Sequence, residues 1–494
     1  MNFRAGEVSI LDKINLVWFK KDFRLSDHEP LKTACNEQLP VLLLYIFEPE
    51  FLTYGDSSHR HIQFILESIN DMNAKLSRFE AKVEILEGNA AQIFEALREN
   101  FQICNVFSHK ETGVKWTFER DKSLKKYFAE NGINWREFQT NGVERGLRNR
   151  EGWEARRRKL IENSEPQNPI LEKLATVKIP AKIINKFHFQ EDKIEISKKF
   201  QTGGTTNAKQ ILQTFNEYRH SSYIRHLAHP LESQEFSSRL SPYLAWGNIS
   251  ARQVNRITRK KIDAEPNSRR DLRAFLSRMA WRDHFIQRFE MDERIETEYL
   301  NRFASLLNRG TDEKLQLSWE LGQTGFPLID AAMRAVKVTG WLNFRLRATV
   351  VSFLTHILWQ DWRLGAKFLA RQFLDYEPGI HYSQFQMQSG DAGFHTIRVY
   401  NPIKQSKEKD AEAKFLRKWL PELADLPNHL IHEPWKMGGL DEIFYGITLG
   451  KSYPHRIVDF ETAYKYATQT LWAWRKNKDV MKEADRLIKR HRET

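Results

Sequence analysis

Residues Trp319 to Pro402 read WELGQTGFPLIDAAMRAVKVTGWLNFRLRATVVSFLTHILWQDWRLGAKFLARQFLDYEPGIHYSQFQMQSGDAGFHTIRVYNP, and their periodicity sets the character of the C-terminal part of the chain. Pro327 and Gly340 bracket a first helix, as a first-turn proline and a terminal glycine should. Leu346, Val350, Phe353, Leu354, Ile357 and Leu358 recur at helical spacing through a second. Gly365 to Asp375 gives a third, stopped at Pro378 and Gly379, and a polar turn from Glu377 to Gln388 follows. Arg345, Arg347, Asp375, Glu377 and His381 lie in or beside these apolar segments. Buried charge is costly unless it is paired or engaged by a ligand, so this constellation points to a cofactor pocket among helices.

The chain around this stretch has 494 residues, 41% of them apolar and 12% aromatic. That is too long for one core and predicts two domains. No uncharged apolar run reaches the length of about 18 residues that would span a bilayer, and the start, MNFRAGEVSILDK, lacks the apolar core of a signal peptide. Cys35 and Cys104 are the only cysteines. They predict a reducing, cytoplasmic setting, exclude a four-cysteine iron–sulfur cluster ligated within the chain, and leave no metal site expected. The net charge of +13 fits either an ordinary basic surface or a polyanionic partner, which gains from phosphate neutralisation and counterion release. Fourteen tryptophans beside arginines favour the second, since such pairs stack on bases.

Toward the N-terminus, Ile14–Phe19, Val41–Phe47, Val83–Leu86, Ile103–Ser108 and Asn134–Phe138 are short β-rich runs. Helical patterns at Ser58–Leu76, Ala90–Glu99 and Thr117–Glu130 alternate with them. This predicts an α/β domain over 1–144 with a doubly wound, mostly parallel sheet. The first strand runs into Lys20, Lys21, Asp22 and Arg24 rather than into a glycine-rich dinucleotide fingerprint. Residues 145–207, rich in Arg, Lys and Pro, read as an interdomain connector. From there to the end, 208–494, the periodic segments are helical, among them Lys209–Tyr218, Ala251–Lys260, Asp271–Glu290, Lys414–Leu420 and Phe460–Lys476.

Several motifs carry two meanings. In SSRLSP, Ser241 fits an N-cap and Pro242 a first-turn residue of an ordinary capped helix. The same hydroxyls, with Arg239 and free N–H groups at a helix start, would bind phosphate. In Asp271–Glu290, Leu272, Phe275, Leu276, Met279 and Phe285 form a core stripe. Arg278 and Arg282, one turn apart, form either a solvated basic face or, with Trp281, the lining of a cleft for phosphates or a flipped base. Arg347 and Asp375 form either a structural ion pair or a clamp on a planar heterocycle. His381 is either a satisfied structural histidine or a ligand-facing one. Trp359 and Trp362, adjacent if the helix continues through both, are core packing by default.

KKDFRLSDHEPL, SSRLSPYLAWGNIS, WRDHF, WELGQTGFPLIDAAMR, TGWLNFRLR, DWRLG and the NP…KFLRKWLPEL segment together resemble the cryptochrome/photolyase family over nearly the whole chain. The resemblance implies an N-terminal α/β antenna domain, a C-terminal helical FAD domain, and blue-light electron transfer to a pyrimidine dimer flipped out of DNA. By position it implies that Tyr223, Ser237, Ser238, Leu240 and Ser241 hold the FAD phosphates and ribityl and that Arg282 reaches a phosphate. Arg347 and Asp375 would flank the isoalloxazine, Glu377 its N3/O4 edge, and His381 its N5. Trp281 would wall the lesion pocket with Arg278, Arg345 and Met387 around it, while Arg398 and Lys404 meet the DNA backbone.

The chain departs from the family's pattern at this same site. Arg278 stands for a glutamate, Phe344 for an asparagine, His381 for another asparagine, and HYSQFQM replaces a tryptophan-bearing turn, putting Phe385 and Met387 in place of aromatic relays. Of the family's tryptophan chain Trp362 matches, with Trp359 as an alternative relay. The pattern implies a divergent bacterial-type photolyase-like subgroup acting as a monomer, with no long C-terminal signalling tail. Splitting of cyclobutane dimers leads. The alternatives are a photoreceptor without repair activity and a (6-4) photoproduct lyase, for which no paired histidine is evident at the lesion pocket. Folate, a deazaflavin or no antenna chromophore all stay open, because His109–Trp116 does not show the acidic contact a folate would need.

Overall fold

The computed structural model describes residues 11–191 and 194–491. Five parallel strands, β1 (Lys13–Phe19), β2 (Val41–Phe47), β3 (Val83–Glu87), β4 (Gln102–His109) and β5 (Asn134–Phe138), lie in the order β3-β2-β1-β4-β5. The five apolar runs became these strands almost residue for residue. VLLLYIF of β2 is buried along its length, because helices cover both faces of a parallel sheet. The period of two divides its side chains: Leu42, Leu44 and Ile46 pack with Trp18, Phe94 and Phe128 on one face. Leu43, Tyr45 and Phe47 face the other way, into a core that continues through Phe64 to Tyr243 and Trp246 of the C-terminal part. The sheet and the helices therefore share one apolar layer.

Strand order reverses between β1 and β4, where a doubly wound sheet opens a crevice at its carboxyl edge. The groups leaving these strands, Lys20, Lys21 and Asp22 from β1 and His109 and Glu111 from β4, line clefts there. Backbone contacts fix the C-terminal part against this edge. Phe23 N–H donates to the Trp246 carbonyl at 3.2 Å, Arg24 Nη1 to that of Gly247 at 3.0 Å, and Trp246 Nε1 to that of Leu374 at 2.8 Å. Gly247, at φ +71°, admits no side chain, since a Cβ would lie 2.3 Å from the Lys21 carbonyl oxygen.

From Thr205 onward the regular elements of the described residues are helical. The first helix of the opening stretch runs Pro327–Thr339 with Gly340 in the left-handed region at φ +70°. The second is Phe344–Ser352, relaxing into a wider π turn over Phe353–Ile357. The third is Trp362–Gln372, capped by Asp361, whose carboxylate accepts from Arg363 N–H at 2.9 Å. Two expectations need correction. The segment expected as a polar turn is a helix, Pro378–Gln388. Pro378 and Gly379, taken as terminators, are its first turn, where proline is at home. Gly379 lets the backbones meet, as a Cβ there would lie 2.7 Å from Ile286 Cα. Trp359 and Trp362 do not share a helix: Trp359 sits in the turn between elements, at φ +53°. Among the described residues no helix is long and apolar enough to cross a membrane.

Candidate active site

Three helices converge on one recess. Asn343 caps the helix Phe344–Ser352, accepting from Leu346 N–H at 2.8 Å and donating to the His229 carbonyl at 3.1 Å, which sets the pitch of that helix's first turn. Arg347 then projects toward Asp375, donating through Nη2 to both carboxylate oxygens at 3.0 and 2.8 Å and through Nε to the Leu342 carbonyl at 2.8 Å. Its guanidinium lies 4.0 Å over the Phe373 ring. The Asp375 side chain is only 5% exposed, but that of Arg347 keeps 28% open, so one face of the pair stays available.

The long helix Arg269–Met291 supplies Arg282, whose Nη2 donates to the Leu244 carbonyl at 3.0 Å and lies 3.6 Å from Glu377. Opposite is the SSRLSP segment. Ser241 is not an N-cap: the helix Ser241–Ala245 begins at Ser241 itself and its first turn has no side-chain cap. Ser237 Oγ is buried without a partner, and Arg239, at φ +55°, stacks 4.0 Å over Trp341 without donating a hydrogen bond among the described residues. Burial pushes the Arg239 guanidinium down to about 10. Tyr223 is buried nearby against Phe215 and Phe275, and burial pushes its hydroxyl up to about 12. Ser238 Oγ accepts from Leu240 N–H at 3.4 Å.

His381 is tied on one side. Its Nε2–H donates to the Ala366 carbonyl at 2.8 Å, which leaves Nδ1 as the acceptor. Burial first, and then Arg347, push it down to about 4, so the ring is neutral. Phe385 lies 4.9 Å from His381 and 6.4 Å from the fully buried Trp362. Trp359 belongs to a separate apolar cluster and meets the half-exposed Tyr466 at 5.0 Å. On the outer face Trp281 is 48% exposed and Arg278 is exposed. Arg345 stacks 5.2 Å over Tyr400, with a buried Nε lacking a partner, and Met387 is half-buried. Arg398 is exposed, while Lys404 is a solvated side chain 3.7 Å from Glu408.

The structure also gathers groups that the sequence did not connect. His284 lies 5.6 Å from Trp281, and His395 accepts at 3.3 Å from Nη1 of Arg288, which lies one turn beyond His284 on the same helix. Burial with Arg150 and Arg288 pushes His284 down to about 3. Burial with Arg288, Arg398 and Arg475 does the same to His395. WRDHF named His284, but nothing in the spacing joined it to His395, more than a hundred residues away. In the α/β cleft, Glu111 of the His109–Trp116 segment is already engaged, its carboxylate lying 2.6 Å from Arg120. Asp22 Oδ2 lies 2.9 Å from His28 Nε2 and 2.6 Å from His109 Nδ1, a closed hydrogen-bonded set.

Two family models match in the order of this architecture: DNA photolyase over residues 15–144 and the FAD binding domain of DNA photolyase over 275–473. A cryptochrome DASH from Gloeobacter violaceus is 28% identical, covering 91% of this chain and 94% of its own. A deoxyribodipyrimidine photo-lyase from Alkalihalophilus pseudofirmus is also 28% identical, over 92% and 97%. A class III photolyase from Agrobacterium tumefaciens superposes with a TM-score of 0.80 at 25% identity, over 96% of this chain and 100% of its own. The chain belongs to the DNA photolyase/cryptochrome family.

The recess fits the flavin that such a domain binds. A partnerless buried hydroxyl at Ser237, a guanidinium at Arg239 without hydrogen bonds, and an uncapped helix start are what phosphates require. The open face of Arg347–Asp375 offers donors and acceptors to a heterocycle edge.

Proposed function

We propose that the protein is a light-driven DNA lyase that splits cyclobutane pyrimidine dimers, with FAD in the recess of the helical part. The observation that carries this reading is the recess itself: polar groups left open inside an apolar core, a few turns from an exposed tryptophan on a basic face. Bound and reduced, FAD supplies on illumination the electron that opens the dimer and that returns afterwards.

The chain's own work is positioning. Tyr223, Ser237, Ser238, Leu240, Ser241 and Arg282 hold the phosphates and ribityl, and Arg347 with Asp375 fixes the ring. Glu377 meets its polar edge and His381 offers Nδ1. Trp362 is the tryptophan of the electron route, with Trp359 as the alternative relay and Phe385 standing where a relay would be. Trp281, Arg278, Arg345 and Met387 receive the flipped lesion, whose poor pairing lowers the cost of extrusion. Arg398 and Lys404 face the DNA backbone. The division falls at 1–144, 145–207 and 208–494, and the protein acts as a cytoplasmic monomer. The α/β cleft is the place for an antenna of folate or deazaflavin type, with no antenna as the other reading.

A (6-4) lyase needs a proton donor at the lesion, and His284 and His395 are both held neutral. The photoreceptor reading is favoured by one observation, the equal likeness to a cryptochrome DASH and to a photo-lyase, and fold alone does not choose between them. The reduced protein should restore bases in dimer-bearing oligonucleotides under blue light, counted by chromatography. Restoration of neither lesion type removes the repair reading, and restoration of (6-4) products alone reassigns it.

A further inference from the structure

Behind Trp281 the helix Arg269–Met291 carries Arg288, a side chain that is 2% exposed and forms no ion pair among the described residues. Its Nη1 donates to His395, but Nε and Nη2 are buried without partners. Those two atoms form the edge with which arginine grips an oxyanion bidentately. Arg294 shows this use a few residues on, donating from Nε and Nη2 to the two oxygens of Asp292 at 2.8 Å each. Asp292, the acid nearest Arg288, is thus already taken, and Arg490 adds a further contact to it at 3.4 Å.

Further basic groups surround Arg288, of which Arg150 is itself partnered. Arg150 Nη1 donates to His284 Nδ1 at 2.7 Å, and Arg475 Nη1 to the His395 carbonyl at 3.1 Å. His491, 5% exposed at the end of the helix Lys478–His491, has neither ring nitrogen bonded among the described residues. Burial and Arg150 together push the Arg288 guanidinium down to about 9. A buried cation of this kind is costly and calls for a counter-charge.

We infer that this recess, formed by Arg288 with His284, His395 and Arg475, takes a phosphate group. Half-buried Phe394, following Gly393 at φ +78°, lies 4.9 Å over the guanidinium, and buried His491 of the C-terminal helix neighbours the same charges. Trp281 lies on the same face of this helix two turns earlier, about 10 Å along its axis, with His284 between them at 5.6 Å from Trp281, so the phosphate in question is one of the backbone phosphates flanking a flipped nucleotide. That source rests on the DNA-repair reading, whereas free inorganic phosphate would satisfy the same chemistry without it.

The test uses the full chain with its flavin. Inorganic phosphate is titrated by calorimetry while the imidazole resonances of His284 and His395 are followed. In parallel, dimer-bearing oligonucleotides carry one neutral methylphosphonate at successive linkages. A phosphate site predicts saturable binding of inorganic phosphate that shifts these two histidines, weakened about tenfold or more in Arg288→Met. A backbone source predicts in addition one linkage whose neutralisation weakens the wild type but not Arg288→Met, with the salt slope of DNA binding reduced by about one in the variant. Should Arg288→Met fold poorly, Arg475→Gln and the wild-type resonances carry the test. Resonances of His284 and His395 unmoved by both phosphate and oligonucleotide overturn the proposal. Phosphate binding without light-dependent repair keeps the site and removes only its DNA source.

Discussion

Two clefts in this molecule are rich in buried charge, and they are built on opposite principles. In the α/β cleft Arg120, Lys20 and Arg145 are paired with carboxylates, and Lys21 lies over the Trp246 and Tyr376 rings. Arg120 reaches Glu48 and Glu111 at 2.6 Å and Asp121 at 2.9 Å, Lys20 meets Asp121 at 3.0 Å, and Arg145 approaches the same carboxylate at 3.3 Å. In the helical recess Arg347 and Asp375 are paired with one side left open, while Ser237 Oγ is buried without a hydrogen-bond partner among the described residues and Arg239 rests on the Trp341 ring. A closed network stabilises itself without a guest. An open one is completed by its ligand.

The sharpest way to break this contrast is Arg347→Ala. It strips Asp375 of its partner and should abolish the bound yellow chromophore, read as the ratio of flavin to protein absorbance; full retention of FAD would refute the placement of the pocket. Arg120→Met in the other cleft leaves three carboxylates behind and should cost about 3–5 kcal/mol of stability. Its folded fraction should keep its flavin, as checked by denaturant melts beside absorbance. Trp281→Ala should lose about 1–3 kcal/mol of affinity for dimer-bearing DNA, with binding of undamaged DNA nearly unchanged in the same gel-shift series.

The pH response is smaller and its sign is fixed. His381 falls from an ordinary 6.5 to about 4 in the fold, so its contribution is whole above pH 6.5 and is lost as the pH drops toward 4. Thermal stability of His381→Gln should therefore decline less than that of the wild type across this window. Least of all, Lys404→Ala should leave stability within about 0.5 kcal/mol, as befits a solvated pair, and weaken DNA binding uniformly across sequences.

Much of this was written in local pattern. The five strands, the helices from Pro327 to Gln372, and Arg347 with Asp375 followed from period and punctuation, because each depends on residues a few positions apart. Where reading failed, a local signal had two uses. Pro378 and Gly379 both end helices and begin them, and only the approach of Ile286 shows which holds here. Ser241 looked like a cap but lies inside its helix. Trp359 and Trp362 looked adjacent until a left-handed residue separated them.

The sequence by itself determined the class of fold and the family, since alternating strands and helices, two cysteines, a basic balance and long ordered motifs are properties of the chain's order. Tertiary structure alone decided which charges are answered. Glu111 finds Arg120, His284 and His395 meet around Arg288, and Ser237 finds no partner, because burial and pairing arise from segments up to hundreds of residues apart. The cost of a buried polar group depends on what stands opposite it, and no spacing along the chain records that.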